Sequence, residues 1–175
     1  MAGNPLDEVM EWFQTARDAI RVTERIVTQK IPRAIIRKHR FHGQSEAACC
    51  ELLTSSLDKL THHVILGLTA IFERTLRDHL RKSPVLMAPT GDPHLDGVRS
   101  EILKDIEFWN LSARVVELFP SVDGNVRGLV RQIIEYRNWV AHGHSLGTSA
   151  PLKLEAIDAH RNLTTFLVQA GVISP

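Results

Sequence analysis

The stretch Asn125–Gly143, NVRGLVRQIIEYRNWVAHG, decides the fold class. Its apolar residues Val126, Leu129, Val130, Ile133, Ile134, Val140 and Ala141 return at the three- and four-residue spacing of one helix face. The spacing predicts a helix from Asp123 to His142, with Gly143 supplying its stop. At ~100° per residue, Arg137 falls in the middle of the apolar stripe. A guanidinium there is costly unless it is paired or meets an anion. It therefore marks a packed interface or the floor of a pocket, and Glu73, Glu107 and Glu117 are candidate partners for a structural ion pair. His142 lies ~140° around an ideal helix from Arg137. Asn138, one turn before His142, shares its face. His142 can also be read as a helix-end imidazole that stabilises the dipole.

The same helical period continues on both sides. A first helix is expected over Pro5–Lys30, capped by Asn4, with Asp7, Glu8 and Glu11 complementing its dipole. Its apolar stripe is Val9, Trp12, Phe13, Ala16, Ile20, Ile26 and Val27. Pro32 breaks it. The next segment, RAIIRKHRFH, holds Arg33, Arg37, Lys38 and Arg40 with His39 and His42 interleaved, the densest basic patch of the chain. It reads as a solvated helix face or linker, or as an RNA contact. A second helix is expected from Ser45, where Ser-Glu-Ala-Ala resembles a cap, to Lys82, with a candidate break at Thr54–Ser56. Val64, Ile65, Leu68, Ile71, Phe72, Thr75 and Leu80 form its apolar face. Ser83–Asp96, with Pro84, Pro89, Gly91 and Pro93, reads as a loop. Further helices are expected over about Leu95–Leu118 and Leu152–Ala170.

No stretch alternates as a half-buried strand does. The expectation is all-α: an up-and-down bundle of five to six helices in one domain, 1–175. Residues 1–43 would form an N-terminal helical extension and 44–170 the core bundle.

Composition narrows the function. The chain has 175 residues, 43% of them hydrophobic and 23% charged, which suits a folded domain and not a disordered one. Its formal net charge of +1 excludes a bulk polyanion binder, so any phosphate contact must come from a local cluster or from an assembly that creates one. No apolar run reaches the ~20 residues of a membrane span. The polar start MAGNPLDEVMEW does not read as a signal peptide, so a cytoplasmic location is expected. Cys49 and Cys50 are adjacent and read as thiols of a reducing compartment. His142 and His144, and the neighbours His62 and His63, lack further ligands at metal spacing. With no phosphate-cradling glycine loop and no nucleophile elbow, no cofactor and no metal are expected.

Arg137-Asn138-Trp139-Val140-Ala141-His142 resembles the Arg-polar-x-x-x-His signature of the HEPN superfamily. The polar residue after arginine, the small residue before histidine and the following glycine all agree with it. Upstream, Ala70-Ile71-Phe72-Glu73-Arg74-Thr75-Leu76-Arg77 is similar to the aromatic-Glu helix of several HEPN nuclease-like families. As architecture the resemblance covers roughly Leu57 to Ala170.

The resemblance implies a homodimer in which two motif helices face a shared cleft, with Arg137, His142 and Asn138 as its catalytic residues. It implies a metal-independent endoribonuclease acting on single-stranded RNA, as a toxin or antiviral effector with an antitoxin or nucleotidyltransferase partner. RNA carries its own nucleophile, the ribose 2′-hydroxyl, so one imidazole can take its proton and another can protonate the leaving oxygen. Arginine can stabilise the charge that develops on the phosphate. Arg127 and Arg131 lie near the azimuth of Asn138 and His142 and are candidate phosphate contacts, though such spacing also suits surface ion pairs. Trp139 is a candidate base-stacking residue or a packed tryptophan, and His144 a further RNA contact. The alternative is a non-catalytic HEPN-like module that binds RNA, a nucleotide or a protein.

Overall fold

The computed structural model of the chain describes residues 3–29, 40–143 and 153–174, and among them there is no strand. The elements are α1 (Asp7–Thr28), α2 (Glu46–Arg81), the single turn α3 (Pro84–Met87), α4 (Pro93–Asp105), α5 (Gly124–Ala141) and α6 (Ala156–Gln169). A π-type turn over Leu111–Val115 runs into a 3-10 turn over Val116–Leu118 between α4 and α5. Arg33, Arg37, Lys38 and His39 of the basic patch, and His144, lie outside the described residues.

Helix α2 is the spine. At 36 residues it is about 54 Å long. Its Ser45 Oγ accepts from the Ala48 N–H at 3.2 Å, as the sequence suggests. The helix passes through Thr54–Ser56 without a break. The Ser56 hydroxyl donates to the Leu52 carbonyl, so it does not pull the backbone away from the helix.

The contacts give the directions. Asn4 Nδ2 donates to Thr164 Oγ1 and His160 contacts Asp7, so the start of α1 meets α6. Phe72 of α2 meets Phe166 of α6 edge-to-face at 5.3 Å, while Lys153 reaches Asp58, so α6 runs along α2 in the same direction. The N–H of Asp123 bonds Gln169 at the far end of α6, and Trp139 lies by His62, so α5 runs against both. The four long helices therefore alternate up and down.

One core results. Val64, Ile65, Leu68, Phe72 and Leu76 of α2 pack with Val130, Ile133 and Ile134 of α5 and with Ala159, Leu163, Phe166 and Leu167 of α6. Leu6, Met10 and Phe13 join from the N-terminal side, so α1 shares this core.

Several local expectations are corrected. Trp12, placed on the apolar stripe of α1, is 55% exposed, and Met10 takes the inward position instead. Leu129 and Ala141 of α5 are exposed, whereas Tyr136 is buried. Asn4 does not cap α1 in the ordinary way: its Oδ1 accepts from Leu6 N–H in a turn before the helix. The stretch read as a loop, Ser83–Asp96, contains α3 and the start of α4. Pro84 and Pro93 each open a helix, and the Asp92 carboxylate accepts from the His94 N–H. The helix expected over Leu95–Leu118 stops at Asp105, because the chain turns over Ile106–Asn110 and directs two carbonyls at an arginine of α2.

Phe72→Ala should cost about 3–5 kcal/mol of unfolding free energy, since it empties a fully buried aromatic position. Trp12→Ala should stay within roughly 0.5 kcal/mol. Urea denaturation of both variants measures the difference, and equal losses would contradict the corrected face of α1.

Candidate functional site

The inward stripe of α5 places Arg137 against α2 near the end of its helix, where the core gives way to solvent. Its side chain is 31% exposed. Nη2 donates to Glu73 Oε2 at 3.3 Å, and Nη1 donates to Asn138 Oδ1 at 3.0 Å. Of the three carboxylates considered for Arg137, Glu73 is the partner. Glu107 pairs with Arg81 instead, and Glu117 with Arg127 and Arg131.

Glu73 is shared. Its other oxygen, Oε1, accepts from Arg77 Nε at 3.1 Å and Nη2 at 2.5 Å. Arg77 is 6% exposed and is the buried charged residue of the described chain. Its Nη1 donates to the Ile106 carbonyl, and its Nη2 also donates to the Trp109 carbonyl at 2.8 Å. Burying this charge is tolerable because the guanidinium fork is filled by a carboxylate and two backbone oxygens. A groove of about 480 Å³ opens beside it, lined by Ala70, Glu73, Arg74, Arg77, Asp78, Arg81 and Glu107.

The motif residues are joined locally. His142 caps α5; it is exposed, and its N–H donates to the Asn138 carbonyl at 3.0 Å. Gly143 follows at φ +65°, a left-handed stop that favours glycine. Arg137 and Asn138 are thus linked through their side chains, and Asn138 and His142 through their backbone. Because α5 is regular up to Ala141, Arg137 and His142 leave it about 140° apart in azimuth. Within one chain the two side chains do not leave on the same side.

Arg127 and Arg131 do share a flank, but Glu117 occupies it. Arg127 Nη1 contacts Glu117 Oε2 at 3.2 Å, and Arg131 donates to the other oxygen. The hydrogen bond from Arg131 holds the Glu117 carboxyl below its ordinary pKa, with the charge of Arg127 adding to it. These arginines are therefore surface ion-pair partners in the monomer. Trp139 is partly buried and packs against the core. It stands 5.7 Å from Tyr136 and edge-on to His62 at 6.2 Å. Burial, then the charges of Asp58 and Glu155, push the Tyr136 phenol up. Among the described residues no three His, Cys, Asp or Glu side chains gather as a metal-binding group.

Arg77 is the member of this arrangement that the sequence did not single out. Its i, i+4 spacing from Glu73 was visible, but that spacing usually marks an exposed helix pair. In the packed molecule it is buried, and the turn at Ile106–Trp109 supplies two carbonyls to its guanidinium.

Two pH effects follow. Tyr136 is the sole tyrosine of the chain, so phenolate absorbance reports it alone. In the native protein less than half of Tyr136 should be phenolate at pH 10.0, the ordinary midpoint. Stability should fall as pH rises beyond that value, because the unfolded chain releases the proton first. For Glu117 the sign reverses. Its contribution is present above the ordinary value of 4.5 and is lost as pH falls through the lowered one. Glu117→Gln should therefore flatten the acid limb of the stability curve, and an unchanged limb would contradict the pairing.

Comparison with known protein families, with characterised proteins and with solved structures gives no match to this chain.

Proposed function

We propose that the chain is a metal-independent endoribonuclease of the HEPN type, acting on single-stranded RNA as a cytoplasmic homodimer. The observation that carries this reading is the setting of Arg137. Its side chain is partly exposed, paired with Glu73 of α2 and hydrogen-bonded to Asn138, the residue one turn from His142. A charged group on an otherwise apolar stripe is expensive, and a shared cleft gives it an anion to meet. The divergence of Arg137 and His142 on one helix is what a composite site resolves: the guanidinium of one protomer and the imidazole of its partner converge on one phosphate.

In that cleft the ribose 2′-oxygen attacks phosphorus, and its proton passes to one His142 imidazole. The bond to the 5′-oxygen breaks, and this oxygen takes a proton from the imidazolium of the second His142. Arg137 stabilises the negative charge on the phosphoryl oxygens during attack. Asn138 orients the guanidinium. The products are a 2′,3′-cyclic phosphate and a 5′-hydroxyl end. The same resemblance supports a toxin or antiviral role with an antitoxin or nucleotidyltransferase partner.

A second reading rests on the ion pair between Arg137 and Glu73. If this pair only joins α5 to α2, the chain is a non-catalytic HEPN-like module for RNA, a nucleotide or a protein.

The purified protein should cleave single-stranded RNA in excess EDTA and leave DNA intact. His142→Ala and Arg137→Ala should each lower the rate by roughly 10²–10⁴-fold while circular dichroism retains the helical signal. Equal cleavage by wild type and both variants would identify a contaminating nuclease and defeat the assignment.

A further inference from the structure

The Glu73 carboxylate is held unequally by its two arginines. Arg77 grips Oε1 with two donors, one at 2.5 Å, from a buried position. Arg137 reaches Oε2 with one donor at 3.3 Å, beyond the ordinary range for a charge-assisted bond, from a side chain 31% exposed. Arg77 is in turn fixed by the carbonyls of Ile106 and Trp109. Glu73 is thus fastened to the scaffold on one side and loosely attached to Arg137 on the other.

We propose that Arg77 is a positioning residue of the site, drawing the Glu73 carboxylate toward the scaffold so that Arg137 is oriented by it yet free to exchange it for a phosphate. The inference rests on the reading that Arg137 receives a phosphate. Without Arg77, the full charge of Glu73 falls on Arg137, and an incoming phosphate must displace a much stronger ion pair. With Arg77, the carboxylate is already neutralised and stays in place when Arg137 turns to the ligand. The guanidinium is then pre-set at small cost to binding. Arg77 itself touches no reacting atom. The arrangement also ties the turn after α4 to the site, because Ile106 and Trp109 hold Arg77 in position.

The side-chain Nε–H resonance of Arg137, followed by NMR during titration with inorganic phosphate, reads this directly. Arg77→Met should weaken phosphate binding at Arg137 by roughly three- to tenfold. Glu73→Gln should strengthen it. The double variant Arg77→Met/Glu73→Gln should return to wild-type affinity or better, since it removes the competitor. Arg77→Met/Glu107→Gln has the same net charge but spares the Glu73 carboxylate, and it should stay weak. A role confined to folding predicts no rescue by Glu73→Gln, and a general field effect predicts equal rescue by Glu107→Gln. Either result overturns the proposal, as does an Arg137 resonance that ignores phosphate even in Glu73→Gln. If Arg77→Met does not fold, Arg77→Lys keeps the charge but loses the fork, and it should show a smaller loss with the same pattern of rescue. In RNA cleavage, Arg77→Lys should raise KM more than it lowers kcat. If the phosphate pattern holds while no variant cleaves RNA, the positioning role stands and the nuclease reading fails.

Discussion

The Glu73 carboxylate stands between two guanidinium groups that come from different helices, one buried and one at the surface. Remove it, and Arg77 is left as a charge in the core while Arg137 has no partner on α2. Buried charges survive only when their donors are filled, and Arg77 meets this condition through Glu73 and the two carbonyls at Ile106 and Trp109. The interaction therefore fixes more than the site. Through Arg77 it ties the turn after α4 to α2, and through Arg137 it joins α5 to α2.

The core itself is conventional in its physics. Helix α2 contributes a continuous inward face from Val64 to Leu76, and α1, α5 and α6 lay their apolar stripes on it. Helix α4 is different. It buries no residue, and Leu95 and Val98 are exposed. The adjoining Ile106 is fully buried and fastened to Arg77 through its carbonyl, so this region is held at its foot rather than along its length.

Electrostatically, the three arginines of α5 named above are held by two carboxylates, one of them shared with Arg77 of α2. Glu117 takes Arg127 and Arg131, and Glu73 takes Arg137 and Arg77. Each carboxylate faces two cations, so each cluster keeps one positive charge while its arginines stay oriented. With a formal net charge of +1 for the whole chain, such local excesses are offset elsewhere and the surface as a whole is not strongly basic. A ligand phosphate would compete with carboxylates already in place, a condition that favours ligands able to contact several arginines at once.

The sequence alone determined what depends on short-range periodicity. From it follow the all-helical class, the approximate ends of α2 and α5, the Ser45 cap, the Gly143 stop and the place of Arg137 on the apolar stripe, because each depends on neighbours within a turn or two of the backbone; that α2 runs unbroken through Thr54–Ser56 does not. It also named Glu73 among three possible partners of Arg137. What it did not determine depends on residues far apart in the chain. The end of α4 at Asp105, the outward turn of Trp12 and the burial of Arg77 were settled only in the packed molecule. The choice of Glu73 over Glu107 and Glu117 was settled there too, between residues 64 apart in sequence. An ion pair's strength is set by the distance and desolvation of its charges, and those exist only once α2, α5 and the Ile106–Trp109 turn have come together.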